Sequence, residues 1–411
     1  MTSIVHAYDL LVTSKGGFFE PLVDAEGNII GERFQIPVLN ASGDRIGTNQ
    51  GYGYIFPDIT ISPYNQNRNF FLDDGEMNVM NQVIVAATGR YEKYTGGSVF
   101  SDLVSQYPDY ILEITLLETE TSLMPCAYEP FRVFEITSEG GYYLPFTSPD
   151  GKQIGEMFQN PIFVQNMPAS REESIGSINQ GFSFNFDTSR DSFIGSNETS
   201  LQNRVFFLPC GRLTVLDLAI VQGTGAYTNY TGGSFDEVVI SQDPHYVSQI
   251  TLREKEPYDV NLANLPDVSL LVNEFDASWE PILNGNGSEI GDRVHAPISN
   301  QNGTRVGSML AYFYLFPDPV GQTLNGNVKL YLEDGNLTIF NNILVQATGV
   351  YAGYVGGRAS IFERNITLIP PSPSSPSPPM EELYSAGKRV TKTHDNLCVL
   401  LVAALASLIW A

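Results

Sequence analysis

Charge is scarce in this 411-residue chain: 17% of its residues are Asp, Glu, Lys or Arg, against roughly 25% in an ordinary soluble domain. Cations are the scarcer sign, with 22 Lys and Arg against 46 Asp and Glu and a net charge of −24. Such a balance repels the phosphates of DNA and RNA, whose binding depends on Lys and Arg releasing counterions. Long-range attraction to anionic lipid headgroups is disfavoured for the same reason. Histidine is nearly absent, and His6, His245, His295 and His394 have no ligand spacing, so no metal centre is expected. The chain also lacks a nucleophile elbow, a phosphate loop and a dinucleotide fingerprint, so no cofactor is expected either. No amphipathic run of helical period exceeds about two turns. What the chain does have is 42% hydrophobic content, 24 Phe, 21 Tyr and 37 Gly. That supplies a core and leans towards β structure.

Internal repetition sets the architecture. ATGRYEKYTGG (87–97) returns as GTGAYTNYTGG (223–233) and as ATGVYAGYVGG (347–357). LDDG (72–75), LPCG (208–211) and LEDG (332–335) precede them at matching distances. Copies one and three hold a constant offset, which pairs Glu20-Pro21 with Glu280-Pro281, Gly31 with Gly291 and Gly47 with Gly307. The middle copy carries extra residues around 187–200. MNVMNQVIV (77–85), LTVLDLAIV (213–221) and LTIFNNILV (337–345) each read as one half-buried strand. Turns are expected at Asp74-Gly75, Asp150-Gly151, Asn302-Gly303 and Asp334-Gly335. Strand spacing implies about eight strands per copy, which suits a barrel or sandwich. The expected units are 1–119, 120–257 and 258–369, then a stalk at 370–387 and a tail at 388–411.

The end of the chain differs in kind. PPSPSSPSPP (370–379) cannot build a core and reads as an extended stalk. Ser385-Ala386-Gly387, the polar spacer 388–396 and the uncharged run 397–411 together match a glycosylphosphatidylinositol anchor signal, with a retained tail anchor as the alternative. Anchoring requires the secretory route, yet residues 1–12 have neither a basic nor an apolar signal region, which reads as a truncated start. Glycosylation sequons stand at Asn40, Asn197, Asn229, Asn286, Asn302, Asn336 and Asn365. Cys126 and Cys210 form an even pair within copy two, as a disulfide or as two unrelated thiols.

FQIPVLNASGDRIGTNQGYGYIF (34–56) followed by DDGEMNVMNQVIVAATGRY (73–91) resembles the dirigent proteins and allene oxide cyclases. The resemblance extends to all three copies. It implies an all-β chain of three tandem eight-stranded antiparallel barrels, each with an apolar cavity, associated as an intramolecular pseudo-trimer. The acidic pair that the family places before its conserved Pro corresponds here to Gln35-Ile36, Gln159-Asn160 and His295-Ala296. The family's Arg corresponds to Thr95, Thr231 and Val355. Gln, Ile, Thr and Val cannot supply acid and base assistance to a cyclisation.

Two groups of residues are left as ligand-binding candidates. Tyr91, Tyr94, Tyr227, Tyr230, Tyr351 and Tyr354 recur in the YxxYxGG segments, either as hydrogen-bond donors to a ligand or as packing at a barrel end. Glu32, Glu156 and Asp292 are the acid that persists in every copy, as a cavity acid or as one half of a surface pair. The expected protein is tethered at the outer cell surface and glycosylated, and it binds a small apolar ligand or an extracellular polymer without catalysis. The alternative is an enzyme guiding cyclisation or coupling of an apolar substrate.

Overall fold

The computed structural model describes residues 7–57, 64–106, 109–118, 131–148, 150–163, 177–189, 191–194, 199–209, 211–255, 265–317, 324–362 and 365–371. Three antiparallel barrels follow one another along the chain, each a nine-stranded sheet in which eight strands close the barrel. In the first, the strands are β1 (Ala7–Thr13), β2 (Phe18–Val23), β3 (Ile29–Leu39), β4 (Arg45–Ile55), β5 (Tyr64–Leu72), β6 (Gly75–Met80), β7 (Val83–Ala87), β8 (Ser98–Ser105) and β9 (Ile111–Leu117). The second barrel runs from β10 (Val133–Thr137) to β18 (Val247–Arg253), and the third from β19 (Val268–Val272) to β27 (Asn365–Ile369).

Closure depends on the length of β3. β1 pairs with β9 from Ala7↔Leu117 to Thr13↔Ile111 and with the far end of β3 at Leu11↔Leu39 and Val12↔Val38. The first half of β3 pairs instead with β2, from Phe18↔Gln35 to Val23↔Ile29. β2 is therefore a ninth strand laid along the rim of an eight-stranded barrel.

The run 77–85 is not one strand but the hairpin β6–β7. Its turn is held by Asn81 and Gln82 at φ 50° and 69°, and Asp217 and Asn341 take the same positive φ in the other copies. Asn and Asp tolerate that conformation, and the Asn81 side chain fixes it by accepting from the Gln66 amide at 2.8 Å. No Gly marks the turn, so it reads as strand interior. The Gly-Tyr segments are short 3-10 helices, Gly89–Tyr94, Gly225–Tyr230 and Gly349–Tyr354.

Alternation along β5 explains how the barrels meet. Tyr64, Gln66, Arg68, Phe70 and Leu72 share the inner face, since side chains two apart point the same way. Asn65, Asn67 and Asn69 point outwards and are nonetheless buried, because the other barrels cover that face. Leu22, Ile30, Tyr52, Tyr54 and Phe56 join Phe146, Ile154, Phe182 and Phe184 and Ile282, Ile290, Tyr312, Tyr314 and Phe316 in one cluster. Equivalent positions of the three copies thus form a shared core. A second junction cluster holds Met80, Leu216 and Phe340. Among the polar side chains there, Asn203 donates to Asn67 at 2.9 Å, and Asn81 donates to Asn203 at 3.0 Å.

Within the extra residues of copy two, Asp191 and Ile194 lie on the third barrel. Asp191 accepts from Ser308 at 2.6 Å and from Arg305 at 2.8 Å, and lies 2.7 Å from His295 Nε2. Ile194 packs with Leu310 and Tyr331.

Candidate functional site

The two ends of a barrel differ. At one end, the 3-10 helix between β7 and β8 folds against the β5–β6 turn, and Arg90 donates its backbone amide to Asp74 at 3.0 Å. Tyr91 and Tyr94 belong to the interior cluster of the first barrel, Tyr227 and Tyr230 to that of the second, and Tyr354 to that of the third, with Tyr351 packed against it. The hydroxyls that are engaged find protein partners: Tyr227 accepts from the Phe131 amide at 3.4 Å, and Tyr354 donates to the Pro266 carbonyl. These tyrosines stopper the end.

The opposite end carries the persistent acids. Glu32 pairs in register with Gly53, and Tyr64 with Ile55, which puts both beside the β4–β5 connection. Glu32 shares the inner face of β3 with Phe34 and Ile36, both in the interior cluster. Glu32, Tyr64, Gln66 and Arg68 keep partial solvent access. The tyrosines and the acid therefore stand at opposite ends of the barrel rather than in one site. Arg33, next to Glu32 in sequence, points the other way. It pairs with Glu20 and donates to the Leu315 carbonyl of the third barrel. Arg293 likewise pairs with Glu280 and donates to Asn185 of the second barrel.

Within the first barrel, Arg68 donates Nε–H to Gln66 Oε1 at 2.6 Å, and its guanidinium lies 5.8 Å from the centre of the Phe34 ring. Among the described residues no carboxylate lies within ion-pair distance of Arg68. Tyr110 is 9% exposed, and its Oη is buried without a hydrogen-bond partner. Burial pushes the Glu32 carboxyl up to about 7, against the opposing pull of Arg68. Burial also lowers Arg68, with Glu32, Tyr110 and Tyr64 acting in the other direction. Asn49 faces the same space, since its register partners Ile36 and Phe70 are core residues. Its Oδ1 has no hydrogen-bond partner.

The second barrel repeats most of this set in a closed form. Arg204 and Gln202 match Arg68 and Gln66, and Phe158 lies 5.7 Å below the guanidinium as Phe34 does. Here Arg204 meets Glu237 at 2.8 Å, and Glu237 also accepts from Tyr246 at 3.0 Å and from Ser248 at 2.8 Å. Burial alone would raise Glu237, but Arg204, Ser248 and Tyr246 hold it below the usual carboxylate range. Glu156 accepts from Tyr143 at 3.0 Å and from Gln153 at 3.2 Å and is not part of the Arg204 set. In the third barrel Val294, Met309 and Val328 stand where Phe34, Asn49 and Arg68 stand in the first, and the interior is apolar. Asp292 lies at its rim, raised by burial and by Glu289.

Arg68, Tyr110, Glu237 and their counterparts were not among the candidates read from sequence. A signal existed: QNR occurs at 66–68 and at 202–204, while the third copy has GNV at 326–328. Of the sequons, Asn229, Asn286, Asn302 and Asn365 are exposed, and Asn40 and Asn336 are partly buried. Asn197, Cys126, Cys210, Ser385, Ala386 and Gly387 lie outside the described residues. No helix among the described residues is long and apolar enough to cross a membrane. Comparison with protein-family models, curated proteins and solved structures found no match to this chain.

Proposed function

We propose that this chain is a membrane-tethered, dirigent-like repeat protein whose first barrel holds a small apolar ligand without converting it, the three barrels acting together as an intramolecular pseudo-trimer. One observation carries the reading. An apolar interior, stoppered at one end by Tyr91 and Tyr94, holds at its other end a guanidinium with no carboxylate partner and a buried hydroxyl with no hydrogen-bond partner among the described residues. Apolar walls with a few converging polar groups are the usual make-up of a small-molecule site. The third barrel, filled by Val294, Met309, Val328 and Leu330, acts as scaffold. The motif order of 34–91 supports the dirigent-like part, and the stalk and tail composition supports the tether. Thermal-shift screening of the full chain against small apolar compounds tests it. A ligand that raises Tm in the native chain, and not in an Arg68→Gln Tyr110→Phe variant, is expected; a screen in which no compound raises Tm defeats the reading.

A second reading, a cyclase-like enzyme, is favoured by Glu32 alone. A carboxyl pushed up to about 7 is present in both protonation states near neutrality, as general acid–base catalysis requires. Turnover of a bound substrate that Glu32→Gln abolishes without weakening binding would establish it.

A further inference from the structure

We infer that the first barrel binds a small monocarboxylate, its carboxylate taking the position that Glu237 fills in the second barrel. This rests on the ligand-binding reading above and names the class of ligand. The second barrel supplies the template. Glu237 stands opposite Ile250, and Ser101 stands opposite Ile114 at the same place in the first barrel. Tyr246 and Tyr110 are equivalent as well: their backbone amides donate to the hydroxyl oxygens of Ser138 and Ser14, each at 3.0 Å. Of the three groups that hold Glu237 in the second barrel, Arg204 and Tyr246 persist in the first as Arg68 and Tyr110, while Ser248 gives way to Leu112. The carboxylate itself is missing.

The retained pieces are oriented as though it were present. Gln66 fixes Arg68 as Gln202 fixes Arg204, and an aromatic ring lies beneath each guanidinium. A buried phenol without an acceptor is costly, and a half-buried guanidinium without a counter-charge less so; two charge-assisted hydrogen bonds to one carboxylate would satisfy both.

Three replacements around this position are to smaller side chains. Ser101 stands for Glu237, Val99 for Phe235, and Gly53 for Ser183 at register-equivalent positions. Leu112 replaces Ser248, so the wall beside the carboxylate becomes apolar and suits a hydrocarbon or aryl body. The Glu237 side chain is in effect a tethered propionate, which sets the scale of the ligand's head. Glu32 does not repel the guest when protonated, and burial favours that form.

Calorimetric titration of the full chain with 3-phenylpropionate, and with 3-phenylpropan-1-ol as its neutral counterpart, tests the assignment. The expected result is one equivalent of carboxylate bound, with the alcohol weaker by about tenfold or more. Arg68→Gln should weaken the carboxylate by about tenfold to a hundredfold, and Tyr110→Phe by several-fold. Ser101→Glu should abolish binding while raising Tm, because it rebuilds the pair of the second barrel; this variant keeps the test decisive if Arg68→Gln misfolds. Equal binding of acid and alcohol would overturn the carboxylate assignment and leave the ligand-binding reading standing. If neither compound binds, and no neutral apolar compound shifts Tm, the ligand-binding reading itself falls. Carboxylate binding unaffected by Ser101→Glu would locate the site elsewhere and overturn the assignment.

Discussion

Lys329 of the third barrel donates to Asp217 of the second across their junction, with side chains only 5% and 12% exposed. At the junction of the first and third barrels the equivalent contact is neutral, Asn341 donating to Asn69 at 2.6 Å. One position of the repeat thus carries an ion pair at one junction and an amide pair at another. Removing one partner of a buried pair strands a charge, so Lys329→Ala should cost about 3–5 kcal/mol. The double change Lys329→Asn with Asp217→Asn copies the amide pair and should recover most of that loss. Chemical denaturation of the native chain and the two variants measures both; a double variant as unstable as Lys329→Ala would contradict the expectation.

Glu32 should make stability depend on pH. Its folded pKa of about 7 lies above the ordinary 4.5, so the folded state holds the proton more tightly than the unfolded chain does. That contribution is complete below the unfolded pKa and is lost as pH rises through about 7. Arg68, Tyr110 and Tyr64 are the charged or titratable groups facing it. The loss should amount to roughly 2–3 kcal/mol. Melting curves of the native chain and Glu32→Gln between about pH 5 and pH 8 should converge at the acid end and separate at the alkaline end.

Asp191 pins the extra segment of copy two to the third barrel through Ser308, Arg305 and His295. Asp191→Ala removes all three contacts at once. Loosening of the segment by roughly 2–3 kcal/mol is expected, read as faster proteolytic nicking between 187 and 199. An unchanged nicking rate would show that Ile194 in its cluster is sufficient to hold the segment.

Two glycines separate backbone strain from crowding. At Gly89 φ is +59° and an added Cβ would lie 2.1 Å from the Asp74 carbonyl oxygen, whereas at Gly27 φ is +85° with nothing within 4 Å. Gly27→Ala should cost about 1 kcal/mol, from the left-handed conformation alone. Gly89→Ala must also part the 3-10 helix from the β5–β6 turn, and should lower Tm by several times as much. Equal losses in Tm would mean that the stopper end is pliable.

The repeat, its β character and the barrel count were legible because each leaves a periodic trace in the residues. Three YxxYxGG segments at matching places can only come from three copies of one unit. Turns with Gly were legible for the same local reason, and Gly151 and Gly303 do take positive φ, 82° and 78°. The Asn81-Gln82 turn was not, because Asn and Gln are also acceptable within a strand. The acid at Glu32 was found by its recurrence, but its opposite number Arg68 was hidden in a run, NQNRNFFL (65–72), whose two polar faces look alike. Nor could sequence proximity link Arg33 to its true partner, because neighbouring residues on a strand point to opposite sides.

The sequence by itself determined how many repeats there are, where their glycine turns fall and which acid recurs, since all of these depend on local conformation and on repetition. Tertiary structure decided what each polar side chain faces. Asn67 and Arg68 are adjacent and alike in polarity; one lies buried where barrels join, the other looks into a barrel interior. That difference arises from barrel closure and from packing between copies, which bring together residues far apart in the chain. It also separates the three barrels from one another: near-equal repeats close over an unpaired cation, a neutralised one and an apolar core.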